Sequence, residues 1–174
     1  AMGITQSYLG FVRPFSDRIA IGMDWSSVGF DDKELAYSEN KLNFAAGFQP
    51  HKIFRVGFTL KYLMRDMLLD DASYGKGTGV GYDAGLLIQP RKNLKLGLGL
   101  YDLNGTSVSY KDKTSETILG QAFKLGISYM PINGLTIAAD FGDRMQLGAE
   151  YILGSRISFR GGIQQGLKSN KEKE

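Results

Sequence analysis

The stretch Ile53-Phe54-Arg55-Val56-Gly57-Phe58-Thr59-Leu60-Lys61-Tyr62-Leu63-Met64-Arg65 is two interleaved sets of residues. One phase reads Phe54, Val56, Phe58, Leu60, Tyr62, Met64; the other reads Arg55, Gly57, Thr59, Lys61, Leu63, Arg65. Successive side chains of a strand point to opposite faces, so the stretch predicts a strand with one apolar and one polar face. The same split recurs outward in both directions. Towards the N-terminus, Leu42, Phe44, Ala46, Phe48 oppose Asn43, Ala45, Gly47, and Ile19, Ile21, Met23, Trp25 oppose Ala20, Gly22, Asp24. Towards the C-terminus, Tyr82, Ala84, Leu86, Ile88 oppose Asp83, Gly85, Gln89. Next, Leu94 to Leu100 oppose Lys95, Gly97, Gly99, and Phe123 to Tyr129 oppose Lys124, Gly126, Ser128. Leu135 to Ala139, Leu147 to Tyr151 and Ile157 to Ile163 complete the series. With the segment Ile4 to Val12, strand-like but of unclear phase, the chain is predicted to be all-β with about ten strands.

Glycine accounts for 23 of the 174 residues and proline for 4. Disordered and collagen-like chains enrich both together, and with 43% hydrophobic residues both classes are excluded. The prolines fall into brief polar turns, Arg13–Asp17, Gln49–Lys52, Gln89–Asn93 and Pro131–Gly134, at spacings of 36, 40 and 41 residues. Between them lie longer connections rich in charge, serine and glycine, at Val28–Glu39, Met67–Thr78 and Asn104–Thr117; only Asp140–Met145 is short on that side. Short turns alternating with long connections are the asymmetry of an outer-membrane barrel. No run approaches the ~20 apolar residues of a spanning helix, whereas a spanning strand needs only ~9–11 alternating ones. The expectation is an antiparallel up-and-down transmembrane β-barrel over residues 1–167, followed by a charged tail at 168–174.

Aromatic placement gives the same orientation. Trp25, Tyr62 and Tyr82 lie on apolar phases towards the long connections, and Phe48, Phe54 and Tyr129 lie on apolar phases beside the proline turns, as two interfacial girdles require. Facing the apolar phases to lipid puts Asp24, Arg55, Lys61, Asp83, Lys95, Lys124, Asp140, Glu150, Arg156 and Arg160 in the lumen. These charges read either as a paired network stiffening the interior or as a substrate path. Small residues dominate the rest of that phase, leaving room for side chains from across a crowded interior. Asp102, on the apolar phase near a strand end, is either above the membrane or beyond a register change. The rival reading is a soluble β-sandwich or barrel with the apolar phases as its core.

Enzymatic chemistry finds little support. His51, the sole histidine, lies in a proline turn without partners for nucleophilic or metal chemistry. Gly75-Lys76-Gly77-Thr78-Gly79 lacks the phosphate-loop spacing and is expected to be a flexible loop. Asp31-Asp32 and Asp70-Asp71 lack the further ligands of a calcium site. Without cysteine there are no thiolate sites, and 21 basic against 18 acidic residues is too mild a balance for nucleic-acid binding. No cofactor is expected.

The ordered runs Arg55 to Leu63, Tyr82 to Leu87, Lys95 to Leu103, Leu147 to Tyr151 and Ile157 to Gly162, spanning residues 55 to 163, resemble the PorV/UPF0164 branch of FadL-like outer-membrane proteins. The resemblance implies a barrel of about fourteen strands in a bacterial outer membrane, with no catalytic residues. For function it implies uptake of long-chain fatty acids or other hydrophobic solutes, or an accessory role in type IX secretion in which the long connections hold cargo or partner proteins. A general diffusion porin is the third reading. Ten strands starting with a proline-side turn put both termini on the long-connection side. That favours a part of a larger barrel, with a closed ten-strand barrel as the alternative.

Overall fold

The computed structural model describes residues 3–31, 35–69, 72–110, 115–154 and 157–166. Twelve strands form one antiparallel sheet: β1 (Gly3–Pro14), β2 (Ile19–Asp31), β3 (Leu35–His51), β4 (Phe54–Leu69), β5 (Ala72–Arg91), β6 (Leu94–Tyr101), β7 (Thr106–Ser109), β8 (Ser115–Leu119), β9 (Ala122–Ile132), β10 (Leu135–Phe141), β11 (Arg144–Leu153) and β12 (Ile157–Gly166). Ten of them follow one another in chain order, β1 to β6 and then β9 to β12, each paired with its predecessor. This is the up-and-down arrangement that the alternation predicts, with the predicted number of strands. β7 and β8 form a separate hairpin that joins the sheet through β5. No helix long and apolar enough to cross a membrane is present among the described residues.

Register carries the two phases intact from strand to strand. Trp25 pairs with Leu42 and Leu42 with Tyr62, while Asp24 pairs with Asn43 and Asn43 with Lys61, so each face keeps its chemistry across the wall. The apolar face has nothing packed on it: Met23, Phe44, Phe58, Leu125 and Ile137 are all about half exposed. Among the described residues only two apolar side chains, Leu63 and Val108, are fully buried. A soluble sandwich buries one face of each sheet against the other. Among the described residues this sheet leaves its apolar face uncovered, which is not the sandwich arrangement. For β1 the unclear phase is resolved by pairing: Leu9 and Phe11 stand opposite Trp25 and Met23, on the apolar face.

The prolines correct one expectation. Pro14 closes β1, and Pro50, Pro90 and Pro131 are the penultimate residues of β3, β5 and β9, inside the strands rather than in the turns. For those three the pairing register shifts at the proline, between Phe48 and His51, between Ile88 and Arg91, and between Tyr129 and Ile132. A bulge leaves one residue out of the ladder, which is where a residue without an N–H is tolerated. The turns themselves are two residues long, Lys52-Ile53, Lys92-Asn93 and Asn133-Gly134. In the last, Gly134 has φ +87°, and a Cβ there would stand 2.7 Å from the Ile152 carbonyl oxygen, so only glycine fits.

The long connections are corrected too. Most of Val28–Glu39 and Met67–Thr78 is strand, because β2 runs to Asp31, β3 starts at Leu35, β4 runs to Leu69 and β5 starts at Ala72. Gly75–Gly79, expected as a flexible loop, lies in β5, and Asn104–Thr117 contains β7 and the start of β8. Charge and serine there mark a change of surroundings, not the end of the strands. Beyond the row Trp25–Leu42–Tyr62–Val80 the formerly apolar face turns polar, with Ser38 beside Asn40 and an exposed Lys76–Asp66 pair at 3.7 Å. The Asp140–Met145 connection is a two-residue turn at Gly142-Asp143, as expected.

Candidate functional site

The polar face of β1 to β6, β9 and β10 lines an open cavity of about 620 Å³. Its floor is made of small residues, among them Gly22, Ala45, Gly57, Gly85, Gly97 and Gly126, which bring backbone close to the cavity. Charged groups stand over that floor at separate places: Arg55, Asp83, Lys124 and Asp140. Arg55 Nη1 donates to Gln89 Oε1 at 3.1 Å, and the Asp140 carboxylate leans over Gly126, where a Cβ would be only 2.6 Å from Oδ1. Tyr101 lies over Gly99 in the same way.

Where the cavity ends, a second arrangement begins. The next residues on the polar face past Thr59 and Asp83 are Lys61 and its partner Gly81, and the chain after β6 folds over them. Asp102 follows a break in the β6 ladder and takes φ +51°, so its carboxylate turns to the polar face and is buried there. The pairing shifts here, with the Leu103 N–H rather than that of Asp102 bonding the Tyr82 carbonyl. Lys61 Nζ lies 2.7 Å from Asp83 Oδ1 and 2.5 Å from Asp102 Oδ1. The Asp102 backbone N–H donates to Asp83 Oδ1 at 2.9 Å, and the Thr106 hydroxyl donates to Asp102 Oδ1 at 2.7 Å. Every member is buried or nearly so, and each charge has an opposite partner, which is the condition for ions to survive desolvation.

β7 is thereby laid over the polar face. Thr106 and Val108 are fully enclosed, and a Cβ at Gly81, Gly79 or Gly77 would run into Thr106, Ser107 or Val108. Those three glycines exist for this close approach. Asn104 closes the gap in the ladder left between β6 and β7: its side chain accepts from the Tyr82 N–H at 3.2 Å and donates to the Val80 carbonyl at 2.7 Å. Leu63, an apolar residue on the polar phase, is explained by the same cover, since it is opposite Gly79 and is buried.

Further along the polar face, beyond the level of the apolar band, three side chains meet. Glu39 Oε2 accepts from the Tyr37 hydroxyl at 2.7 Å and from Arg65 Nη2 at 2.9 Å, and Arg65 also stacks over the Tyr37 ring. Burial, followed by the hydrogen bond to Glu39, pushes the Tyr37 hydroxyl up to about 12. Burial alone would raise the Glu39 carboxyl, but the Arg65 and Tyr37 hydrogen bonds outweigh it and hold the group below its ordinary value. Arg65 Nε nonetheless has no acceptor.

Of the charges singled out from sequence, the structure brings together Lys61 with Asp83, and Glu150 with Arg160 at 2.6 Å. Arg55, Asp83, Lys124 and Asp140 share the cavity. Asp24 accepts from Asn43 at 2.7 Å, and Lys95 is exposed opposite Ser128. Arg156, Asp32, Asp70, Asp71 and the tail 168–174 lie outside the described residues. Trp25, Tyr62 and Tyr82 are exposed on the apolar face near one end of it; Phe48, Phe54 and Tyr129 are exposed near the other. His51 ends β3, exposed, with its Nδ1 near the Ile53 N–H. No group of three metal-ligating side chains occurs among the described residues. Sequence reading missed Asn104 and Thr106 and left Asp102 unassigned. The only signal was the run Asp102-Leu103-Asn104-Gly105, a turn-forming cluster interrupting a strand pattern.

Two solved structures share this fold. The crystal structure of a Pseudomonas aeruginosa FadL homologue superposes with a TM-score of 0.66 at 12% identity, covering 96% of this chain and 61% of that one. The Ralstonia pickettii toluene transporter TbuX superposes with a TM-score of 0.54 at 12% identity, covering 92% of this chain and 61% of that one. The chain thus spans about three fifths of the length of either protein. No protein-family model matches the sequence, and no curated protein does.

Proposed function

We propose that this chain belongs to an outer-membrane β-barrel that takes up hydrophobic solutes, with the bilayer as its surroundings and the polar face as its lumen. The observation that carries the reading is the uncovered apolar face bounded by aromatic rows. Between Phe54 and Tyr62 lie eight residue steps of strand, about 27 Å at ~3.4 Å per residue. A tilt of ~40° reduces this to about 21 Å, close to the ~25 Å apolar band of such barrels. In water an apolar surface of this extent would drive aggregation; against hydrocarbon it costs nothing.

The solute class rests on the cavity and on the two neighbours of like fold, one a FadL homologue and one a toluene transporter. A floor of glycine and alanine offers apolar contact without bulk, and Arg55 and Lys124 offer cationic points at its rim. Nothing in this arrangement calls for a cofactor; solute passage is down its gradient. The test is saturable binding of a long-chain fatty acid and of toluene to the reconstituted full-length protein. Binding of either supports uptake. Binding of neither, together with co-purification of a translocon or secreted cargo, would replace uptake with the secretion-accessory role. Trp25, the sole tryptophan, tests the membrane assignment separately, because brominated lipids quench it only if its face meets the acyl chains.

A further inference from the structure

We propose that the short-turn edge of the apolar face is a basic rim that binds the phosphates of anionic phospholipids in the adjoining leaflet, through Arg13, Lys52, Arg91 and Lys92. The proposal rests on the barrel reading above, since only a wall set in a bilayer has headgroups at that level. A repeated device in the chain builds the rim. Two successive hairpins carry Gln49-Pro50-His51-Lys52 and Gln89-Pro90-Arg91-Lys92. In each the glutamine side chain donates to the lysine carbonyl, at 3.4 Å from Gln49 and 3.3 Å from Gln89, and the register shifts at the proline. Strict alternation would turn His51 and Arg91 to the lumen. The shift instead sets them opposite Phe54 and Leu94, on the apolar face.

The β1–β2 hairpin extends the row. Pairing with Ile21 puts Arg13 on the apolar face, past Phe11, with its guanidinium over the Phe15 ring. Lys52 and Lys92 stand in the two-residue turns themselves. Equivalent positions in successive hairpins are two strands, or about 10 Å, apart, so the cations line one edge of the sheet. All four are exposed, and among the described residues none is paired with a carboxylate. On β4 and β5 towards the other end, Lys61, Arg65 and Lys76 each have an acid partner. Asp17 is the only acid in the three turns.

Charge and place together select the partner. Unpaired cations at the end of a hydrocarbon-facing surface, beside the Phe48 and Phe54 rings, lie where the phosphates of a leaflet lie when its acyl chains cover that surface. Arginine and lysine can rest their stems on the last apolar side chains while their heads reach the phosphate layer. A soluble acidic partner would gain nothing from cations brought round to the lipid side, yet the shifts at Pro50 and Pro90 bring the following residue there. Each Lys or Arg beside an anionic lipid surface contributes about a fivefold preference, which fades within a Debye length.

The experiment uses the full-length protein in vesicles of phosphatidylcholine and phosphatidylglycerol, with the acyl chains of one lipid brominated at a time. Phe48→Cys, and Tyr62→Cys as a control in the other aromatic row, each carry a thiol-linked fluorophore, since the chain has no cysteine of its own. Quenching at position 48 should report phosphatidylglycerol enriched about fivefold over its bulk fraction. The enrichment should vanish when Arg13→Gln, Lys52→Gln, Arg91→Gln and Lys92→Gln are combined, and shrink in about 1 M salt. Lys52→Gln with Lys92→Gln alone, confined to the turns, should lower it without disturbing the strands. Position 62 should respond to none of these changes. Equal quenching by the two lipids at position 48, or enrichment that survives the substitutions, overturns the proposal. Enrichment abolished by sodium phosphate but not by sodium chloride of equal ionic strength gives the rim to free phosphate instead. Polyglutamate bound through the same four residues, with no lipid preference, gives it to an acidic protein. If neither brominated lipid quenches either fluorophore, the barrel reading itself fails, and the rim with it.

Discussion

The wall of β3, β4 and β5 and the wall of β10, β11 and β12 are made by the same alternation, yet they differ in what covers their polar face. The first has strands of 17, 16 and 20 residues and carries the β7–β8 hairpin; the second has strands of 7, 10 and 10 residues and carries no further strand among the described residues. Each presents a basic–acidic pair on that face. Lys61 has a side chain 9% exposed between Asp83 and Asp102, whereas Arg160 is 73% exposed beside Glu150. In a single-layered sheet, burial comes only from a second layer, so one short hairpin turns part of the polar face into the one enclosed region of the described chain.

The largest effect should come from breaking that enclosure at its charge. Lys61→Met leaves Asp83 and Asp102 facing each other without a cation, and loss of one partner from a buried ion group costs about 3–5 kcal/mol. Urea unfolding in lipid or detergent, followed by Trp25 fluorescence, measures it. If Lys61→Met costs no more than a substitution at Arg160, the contrast between the walls is wrong. Next comes the floor. Gly79→Val would drive a side chain into the Ser107 backbone and Val108, and should cost about 1–3 kcal/mol as overpacking. Gly97→Ala, on the same face with nothing within 4 Å of its Cβ, should stay within about 0.5 kcal/mol of wild type.

The Tyr37–Glu39–Arg65 cluster sharpens the comparison through pH. The Glu39 carboxyl is held below its ordinary 4.5, so its stabilisation is present above that value and is lost as pH falls through the lowered one. The Tyr37 hydroxyl is raised from 10.0 to about 12, so its contribution is present below 10.0 and is lost as pH rises to about 12. Stability of the wild type should therefore fall at both extremes. Glu39→Gln should flatten the acid limb and Tyr37→Phe the alkaline one, both read from urea midpoints across pH.

How far this was legible from sequence follows from the same physics. Periodicity of two reports which face a residue is on, so ten strands, their order and the shared face of Lys61 and Asp83 could be read directly. Periodicity does not report where a strand stops when both faces become polar. Ser38 and Lys76 therefore read as parts of connections although they lie in β3 and β5. Nor does it reveal a second layer. Gly77 and Gly79 look like flexible-loop glycines until β7 lies on them, and Leu63 looks like an exception to its phase until it is covered. Asp102 escaped assignment because its side chain changes face through a single left-handed residue, which no alternation encodes.

The smallest expected effect belongs to the uncovered wall, and it is the control that gives the others meaning. Arg160 Nε donates to Glu150 Oε1 at 2.6 Å, a shorter separation than that between Lys61 and Asp83, so distance alone would rank this the stronger pair. Exposure reverses the ranking. Water solvates the Arg160 guanidinium whether or not the carboxylate is beside it, salt screens the attraction, and holding two long side chains in register costs entropy. Arg160→Ala should therefore change unfolding free energy by less than about 1 kcal/mol, and the difference should shrink further as salt is raised. A double-mutant cycle with Glu150→Gln, run beside one on Lys61 and Asp83, measures both couplings in the same protein. A coupling for Arg160–Glu150 as large as that for Lys61–Asp83, and insensitive to salt, would mean that the uncovered wall is also enclosed in the complete barrel.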